Sequence, residues 1–523
     1  MTMKKNITIL LIAQTFFIQA QSNYHQSFTQ PNHTISEVVY ANEFNTSSFV
    51  VSNYFGINAY ESFGMITKFT TTTGAITSSK AFSFTGNDII IKGANKKNQA
   101  LYMIARIDNP NPSASGTLVY KYNLSSNTIT WRKLLNNGPD YSVQSITTDS
   151  SKYLYILGSV YNPNTSGSDL AITKMDTIGN LLWTKSFGSD DLDEYPSTIL
   201  FKGNREIYIS TVNFTGPFGR PTIIRLDSAG NIINTTCIAT LSSPRFGSTQ
   251  ATLLNNKLVV VNNTIVGPGD QGPVLIQTFD SNLVSLNSAI IGGLKVSAIS
   301  SSPSNKLLLS GAAPVSNGQI GERVIRMDTN LTTVASRHFH KMTSFSIASS
   351  NASFINAANQ SIHAFIPGGN DSLFIIKADM NESTGCRDSV FVPATETFSY
   401  IASTYTYALL PIITTTASIT IPVTSYTLNS ASLCTGITTK INDNVINNDE
   451  ILIYPNPTIG NFSVLSNNAD VNFITITDAL GREILAQYNM VNIDVSNLQR
   501  GIYFVIIYDK KGNVSSVKKM YII

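Results

Sequence analysis

Apolar and polar residues alternate along this chain in short runs separated by Gly, Asn and Asp. The clearest stretch is residues 169–211, DLAITKMDTIGNLLWTKSFGSDDLDEYPSTILFKGNREIYIST. LAITKMD alternates and ends in Asp176, which predicts a strand with one buried face. TIGN follows as a turn, with Gly179 free to take a positive φ. LLWTKSF predicts the returning strand, SDDLDEYP a polar loop, STILF a third strand, KGNR a turn and EIYIST a fourth. Four short antiparallel strands in about fifty residues have the size of one propeller blade.

The end of the first strand recurs as a basic or polar residue, a large residue and a turn-former. It stands at Lys68-Phe69-Thr70, Lys121-Tyr122-Asn123, Lys174-Met175-Asp176, Arg225-Leu226-Asp227, Thr278-Phe279-Asp280, Arg326-Met327-Asp328 and Lys377-Ala378-Asp379. Successive starts lie 48 to 53 residues apart. The turn recurs as Asp-x-x-Gly-Asn at Asp176 and Asp227, and Trp131 and Trp183 hold matching places in their return strands. The recurring aspartates are expected to cap turns by accepting from backbone amides two residues on.

After Asp379 one return strand is visible, around Ser389 to Val392, while Glu37–Tyr40 and Ser48–Val51 precede the first anchor and read as third and fourth strands. The simplest closure pairs these N-terminal strands with the last C-terminal ones, which removes exposed sheet edges. The expected fold is all-β: a seven-bladed β-propeller over residues 37–393, its last blade closed by N-terminal strands, with six or eight blades as alternatives. The repeat DLAITKMDTIGNLLWTKSFGSDDLDEYPSTI followed by EIYIST resembles the bacterial β-propeller repeat of extracellular proteins. That resemblance implies a secreted scaffold with no common catalytic residues.

Flanking segments set the destination. Residues 1–20 have a basic start at Lys4 and Lys5, a short apolar run and a small Ala20, the pattern of a secretory signal peptide. Residues 21–36 form a polar lead-in. Residues 394–450 are a Thr-rich, β-prone transition and linker, read as an accessory hairpin on the rim or an ordered linker, with NDNVINNDE (442–450) as the junction. No run reaches the eighteen or more apolar residues of a membrane helix. Charged residues are 13% of the chain, and net charge is +3, near +1 once the leader is removed. That balance makes no case for nucleic acid or an anionic membrane.

Residues 451–523 carry about seven short alternating strands joined by glycine turns, which predicts a small Ig-like β-sandwich. They hold Tyr454-Pro455-Asn456-Pro457-Thr458 with Gly460, then Asp478-Ala479-Leu480-Gly481-Arg482. Val495-Ser496-Asn497-Leu498 leads to Gly501-Ile502-Tyr503, and Gly512 and Lys518-Lys519 precede the apolar end. In this order and place the segment resembles the type A C-terminal sorting domain of the type IX secretion system of Bacteroidota. The resemblance implies the secretion machinery as partner. It also implies outer-membrane translocation after signal-peptide export, cleavage near 438–450, and release or attachment at the cell surface.

Candidate chemistry is sparse. Cys386 and Cys434 flank the transition and are read as a disulfide, the alternative being two buried thiols. Cys237 is read as a buried apolar residue. The acidic run Asp190-Asp191-Leu192-Asp193-Glu194 lacks the order of calcium loops and is read as solvated, as are His338 and His340 on a polar strand face. Asp176-Thr177-Ile178, Asp227-Ser228-Ala229, Asp371-Ser372-Leu373 and Asp388-Ser389-Val390 resemble the O-glycosylation pattern of the same phylum, or are simple turn and strand-end residues. No nucleophile, zincin or phosphate-loop motif is present. No catalytic residue, cofactor or metal is therefore assigned. The expectation is a propeller binding an unknown extracellular glycan, protein or matrix component. The alternative is a hydrolase or lyase acting on polysaccharide at the channel mouth.

Overall fold

The computed structural model describes residues 24–432 and 451–523, apart from 30–32, 57, 59, 84–85, 110–115, 137–140, 150–151, 163–166, 189–192, 204, 216–217, 241–244, 268–269, 315–319, 340–349, 367–371, 385–387, 391–392, 394–399, 404–407, 411–414, 419–422, 426–428, 466–470, 479–482, 488–491 and 510–513. Two compact units comprise residues 1–435 and 436–523. Every regular element among the described residues is a strand, and every strand pairing is antiparallel. The chain is all-β.

In the first unit, successive strands pair in fours. The first sheet spans residues 33–82, the second 88–136, the third 141–188, the fourth 193–240, the fifth 245–291 and the sixth 295–339. A seventh joins 350–378 to Tyr24–Thr29, which pairs with Ser372–Ala378 in the register Thr29↔Ser372 to Tyr24↔Lys377. Between successive sheets lies a separate apolar core. Phe49, Val51 and Ile66 of the first sheet meet Leu101, Met103 and Tyr120 of the second, for example. Seven such cores occur among the described residues. One of them packs Ile362, Ala364 and Leu373 of the seventh sheet against Val38, Val50 and Met65 of the first. The inner strand Ser350–Ile355 likewise returns to His33–Phe44, so the series closes on itself.

This packing explains a difference from the expected burial. Gly167–Asp176, read as buried on one face, is buried on both through its middle, Lys174 included. Each sheet is covered on both sides by neighbours, and its outer strand meets solvent, as the exposed start of Leu181–Gly188 shows.

The phase of the repeat also differs. The anchor strands Phe63–Thr70, Gly116–Asn123 and Gly167–Asp176 are third, not first, in their sheets. Residues 169–211 therefore hold the last two strands of one sheet and the first two of the next. Glu37–Tyr40 and Ser48–Val51 lie in the first two strands of the first sheet, not in the closing pair. The closing strand is Tyr24–Thr29, inside the stretch read as a polar lead-in, and it buries Phe28 completely.

The transition segment, read as an accessory hairpin or an ordered linker, supplies single strands to the outer edges of the sheets. Asp388–Val390, part of the stretch expected to return in the last sheet around Ser389 to Val392, pairs instead with the outer strand of the sixth, and within the transition Tyr400–Ser403 pairs with that of the fourth and Ala408–Leu410 with that of the third. Thr415–Ser418 then adds to the second, Val423–Ser425 to the first and Asn429–Ser432 to Tyr24–Thr29 of the seventh. The segment runs against the order of the sheets as a belt, adding a fifth strand to each of these six. Outer edges are the places where such sheets would otherwise recruit other chains.

In the second unit, Leu452–Tyr454, Asn461–Leu465 and Ile493–Asp494 form one sheet. Glu483–Gln487, Val471–Asp478, Gly501–Asp509 and Val514–Ile522 form another. Phe462, Val464 and Ile493 of the first share a core with Ile474, Ile476, Val505, Ile507 and Met520 of the second.

Candidate functional site

The recurring residues of the repeat serve the joints between sheets. Asp176 Oδ1 accepts from the amides of Ile178 (3.1 Å) and Asn180 (2.7 Å), and Oδ2 from Asn180 Nδ2 (2.8 Å). Asp227 repeats this with Ala229 and Asn231, and Asp280, Asp328 and Asp379 each accept two turn amides. Slight burial works against ionisation, but these donors hold the Asp176 and Asp227 carboxyls below the usual range.

The next sheet's turn is gripped from behind. Lys174 Nζ donates to the Ser228 carbonyl at 2.8 Å and stands 4.3 Å from the Tyr153 ring centroid and 5.2 Å from that of Tyr155. Burial pushes its ammonium below the usual lysine range. Trp131 Nε1 donates to the Thr177 carbonyl at 3.0 Å. Trp183 covers Gly230, whose φ is +82° and whose Cβ, were there one, would meet the ring at 2.7 Å. The shared Lys, Trp, Gly and Asp thus form one interlock.

At the joint between the sixth and seventh sheets the interlock becomes a buried charge cluster. Arg326 meets Glu382 Oε1 through Nε (2.6 Å) and Nη2 (2.5 Å). His363 Nε2 stands 3.1 Å from Glu382 Oε2, and Ser361 Oγ donates to the same oxygen. Burial raises the Glu382 carboxyl, but the His363 hydrogen bond and charge and the Arg326 guanidinium outweigh it and hold the carboxyl low. His338, read as lying on a polar face, is buried, with Arg323 Nε donating to its Nδ1 at 3.1 Å. His340 lies outside the described residues.

Part of the accessible space lies along the inner strands of the ring. The inner strands carry bulges at Gln144, Ser197, Gly247 and Ser297, among others. Gln144, Ser197 and Ser297 line a channel of about 520 Å³ with residues from six of the seven sheets, none of them charged. Gln144, Ser197 and Gln250 also border a second cavity, of about 550 Å³, beside the channel. Tyr195, Phe214 and Thr249 form part of its wall, and Asp193 is the only charged residue among its described residues. Asp193 Oδ1 accepts from the Ser168 amide at 3.0 Å. Of the acidic run, Asp190 to Leu192 lie outside the described residues, and Glu194, read as solvated, is wholly buried. The channel residues escaped sequence reasoning because inner strands had been read as third strands. The available signal was the polar residue interrupting each run, as in YSVQSITT and FGSTQATL.

In the second unit the motif residues bind its ends together. Asn456 Nδ2 donates to the Lys519 carbonyl (2.6 Å), and its Oδ1 accepts from the Tyr521 amide (2.9 Å). The Pro455 and Pro457 bonds are cis. The Gly460 carbonyl accepts from the Val495 amide at 2.6 Å, and the Leu498 amide donates to Val495 at 3.0 Å. Tyr503 Oη donates to the Gln499 carbonyl at 2.8 Å, Gly501 opens its strand, and Lys518 pairs with Val505. Tyr454 and Ile459 are 70% and 84% exposed, so they are free for contact rather than for folding. Gly481, Gly512, Cys386 and Cys434 lie outside the described residues. Cys237 is buried with a free thiol, which burial pushes up.

Residues 452–523 match the family described as secretion system C-terminal sorting domain. This module is a type IX sorting domain. It directs the chain to the cell surface or beyond and implies contact with the secretion machinery. A search of curated proteins finds no match. Among solved structures, the chain is similar to a protein of unknown function from Dyadobacter fermentans (10% identity, 67% of this chain and 97% of that one, TM-score 0.40). It is also similar to one from Bacteroides caccae (9%, 60% and 93%, 0.32) and to a neuraminidase-like protein from A/bat/Guatemala (10%, 67% and 89%, 0.35). No helix among the described residues is long and apolar enough to cross a membrane.

Proposed function

We propose that the chain is an exported seven-bladed β-propeller, sealed by one N-terminal strand and a C-terminal belt, that binds an extracellular glycan, protein or matrix component at its channel mouth. A signal peptide at 1–20 starts export in a Bacteroidota host, and the sorting module, a small Ig-like sandwich, completes it. The reading rests on the cavity beside the channel. Its wall joins an exposed aromatic to neutral amides and hydroxyls, the mixture that small-ligand sites use. The repeat's own conspicuous residues, by contrast, are consumed by joints between sheets. The test is a glycan and protein binding screen of the purified chain, run beside a polysaccharide-degradation assay. Saturable binding without turnover supports a binding scaffold. Turnover replaces it with a hydrolase or lyase.

A further inference from the structure

Resting on that reading, we infer that the cavity at Tyr195 takes a neutral sugar unit, stacked on the Tyr195 ring and hydrogen-bonded by Gln144 and Gln250. Tyr195 is 54% exposed although it lies on an inner strand. Its ring is not loose: it stands edge-on to Phe214 with centroids 5.2 Å apart and planes at 86°. Its carbonyl is held by Thr211 Oγ1 at 2.9 Å. A large, fixed, half-open aromatic face offers a flat apolar surface to a ligand at little entropic cost. The face of a pyranose ring is apolar, and its rim is a circle of hydroxyls.

The remaining wall matches that rim. Gln250 spends Nε2 on the Ser297 carbonyl at 2.8 Å, which fixes its amide beside the cavity. Gln144 projects from a bulge and is exposed. The volume, about 550 Å³, falls within the range of roughly 300–1,000 Å³ for small-ligand clefts. Asp193 is the only charged residue among the described residues of the wall, and its negative charge disfavours uronic and sulfated sugars but not neutral ones.

The test is calorimetry of the full chain against neutral oligosaccharides (gluco-, manno-, xylo- and N-acetylglucosamine series), oligouronates and unstructured peptides. Alongside the parent run Tyr195→Ala, Tyr195→Phe and Gln144→Ala. The expected result is binding within the neutral series, weakened about tenfold or more by Tyr195→Ala and nearly kept by Tyr195→Phe. Gln144→Ala removes an exposed amide of the wall, so it weakens binding several-fold while the unfolding midpoint stays near the parent's. Saccharide binding indifferent to Tyr195→Ala overturns this inference and leaves the scaffold reading intact. Preference for oligouronates or peptides, or no binding to any neutral sugar, also overturns it. Failure of every ligand in the wider screen removes the scaffold reading itself.

Discussion

If the Trp-on-glycine contact is what the repeat preserves, four glycine-to-alanine substitutions fall in a definite order. Gly203 has no atom within 4 Å of an added Cβ and no left-handed φ, so Gly203→Ala is close to neutral, within about 0.5 kcal/mol. Gly86 has φ +76° and open space, so Gly86→Ala carries the backbone cost alone, about 1 kcal/mol. Gly179 combines φ +94° with Trp131 Cε3 at 3.2 Å and Lys133 at 3.3 Å, contacts that yield by a few tenths of an ångström. Gly230 combines φ +82° with Trp183 Cη2 at 2.7 Å, a rigid ring that must move. Overpacking of that kind adds about 1–3 kcal/mol, giving a total of about 2–4 kcal/mol for Gly230→Ala. The chain has two tryptophans, Trp131 and Trp183, and both lie in the first unit. Urea unfolding followed by tryptophan fluorescence therefore reports on the ring without interference from the sorting module. The predicted order of destabilisation is Gly230, Gly179, Gly86, Gly203. Equal losses for Gly230→Ala and Gly86→Ala would refute the interlock as the reason for the glycine.

Three further outcomes follow. Glu382→Gln leaves Arg326 buried without its counter-charge and costs about 3–5 kcal/mol near neutral pH, read as a lowered urea midpoint. Because the folded Glu382 carboxyl is held low, its contribution is complete above the unfolded carboxylate range, about 4.3, and is lost as pH falls through the folded value. The gap between parent and variant should accordingly close in acid, and a constant gap down to pH 2 would contradict the assignment. Ending the chain after Pro393 strips the belt from five sheets and should give self-association by light scattering, whereas ending it after Thr435 should give a monodisperse ring. Deleting residues 451–523 should leave a folded ring retained in the periplasm, and unimpaired surface delivery in cell fractionation would refute the sorting role.

What could be read from the chain was local. Asp176 through Asn180 announces its turn because the bonds that shape it lie within five residues. The sorting module was likewise legible from contiguous motifs such as Tyr454-Pro455-Asn456-Pro457. Strand rank within a sheet was not, because it depends on which strand faces the channel, and Lys174 looks the same in either phase. The belt was hidden for a related reason: Tyr400–Ser403 pairs with Cys237–Thr240, some 160 residues away, through strands too short to carry a period. Tyr24–Thr29 was missed because YHQSFT looks polar, its single large anchor Phe28 excepted. Glu382 and Arg326 meet only across a joint, so nothing near either residue predicts a buried pair.

The two ends of the ring meet, with the N-terminal strand held between the seventh sheet and the end of the belt. Cysteines at Ser27 and Ala431, which stand opposite each other in that pairing, test it directly in a background where Cys237, Cys386 and Cys434 are replaced by serine. Mild oxidation and peptide mass spectrometry should find the 27–431 disulfide in high yield, and almost none for a Ser27 and Ala402 pair, since Ala402 sits on the fourth sheet. No 27–431 bridge, or equal yields from the two pairs, would contradict the closed and belted ring.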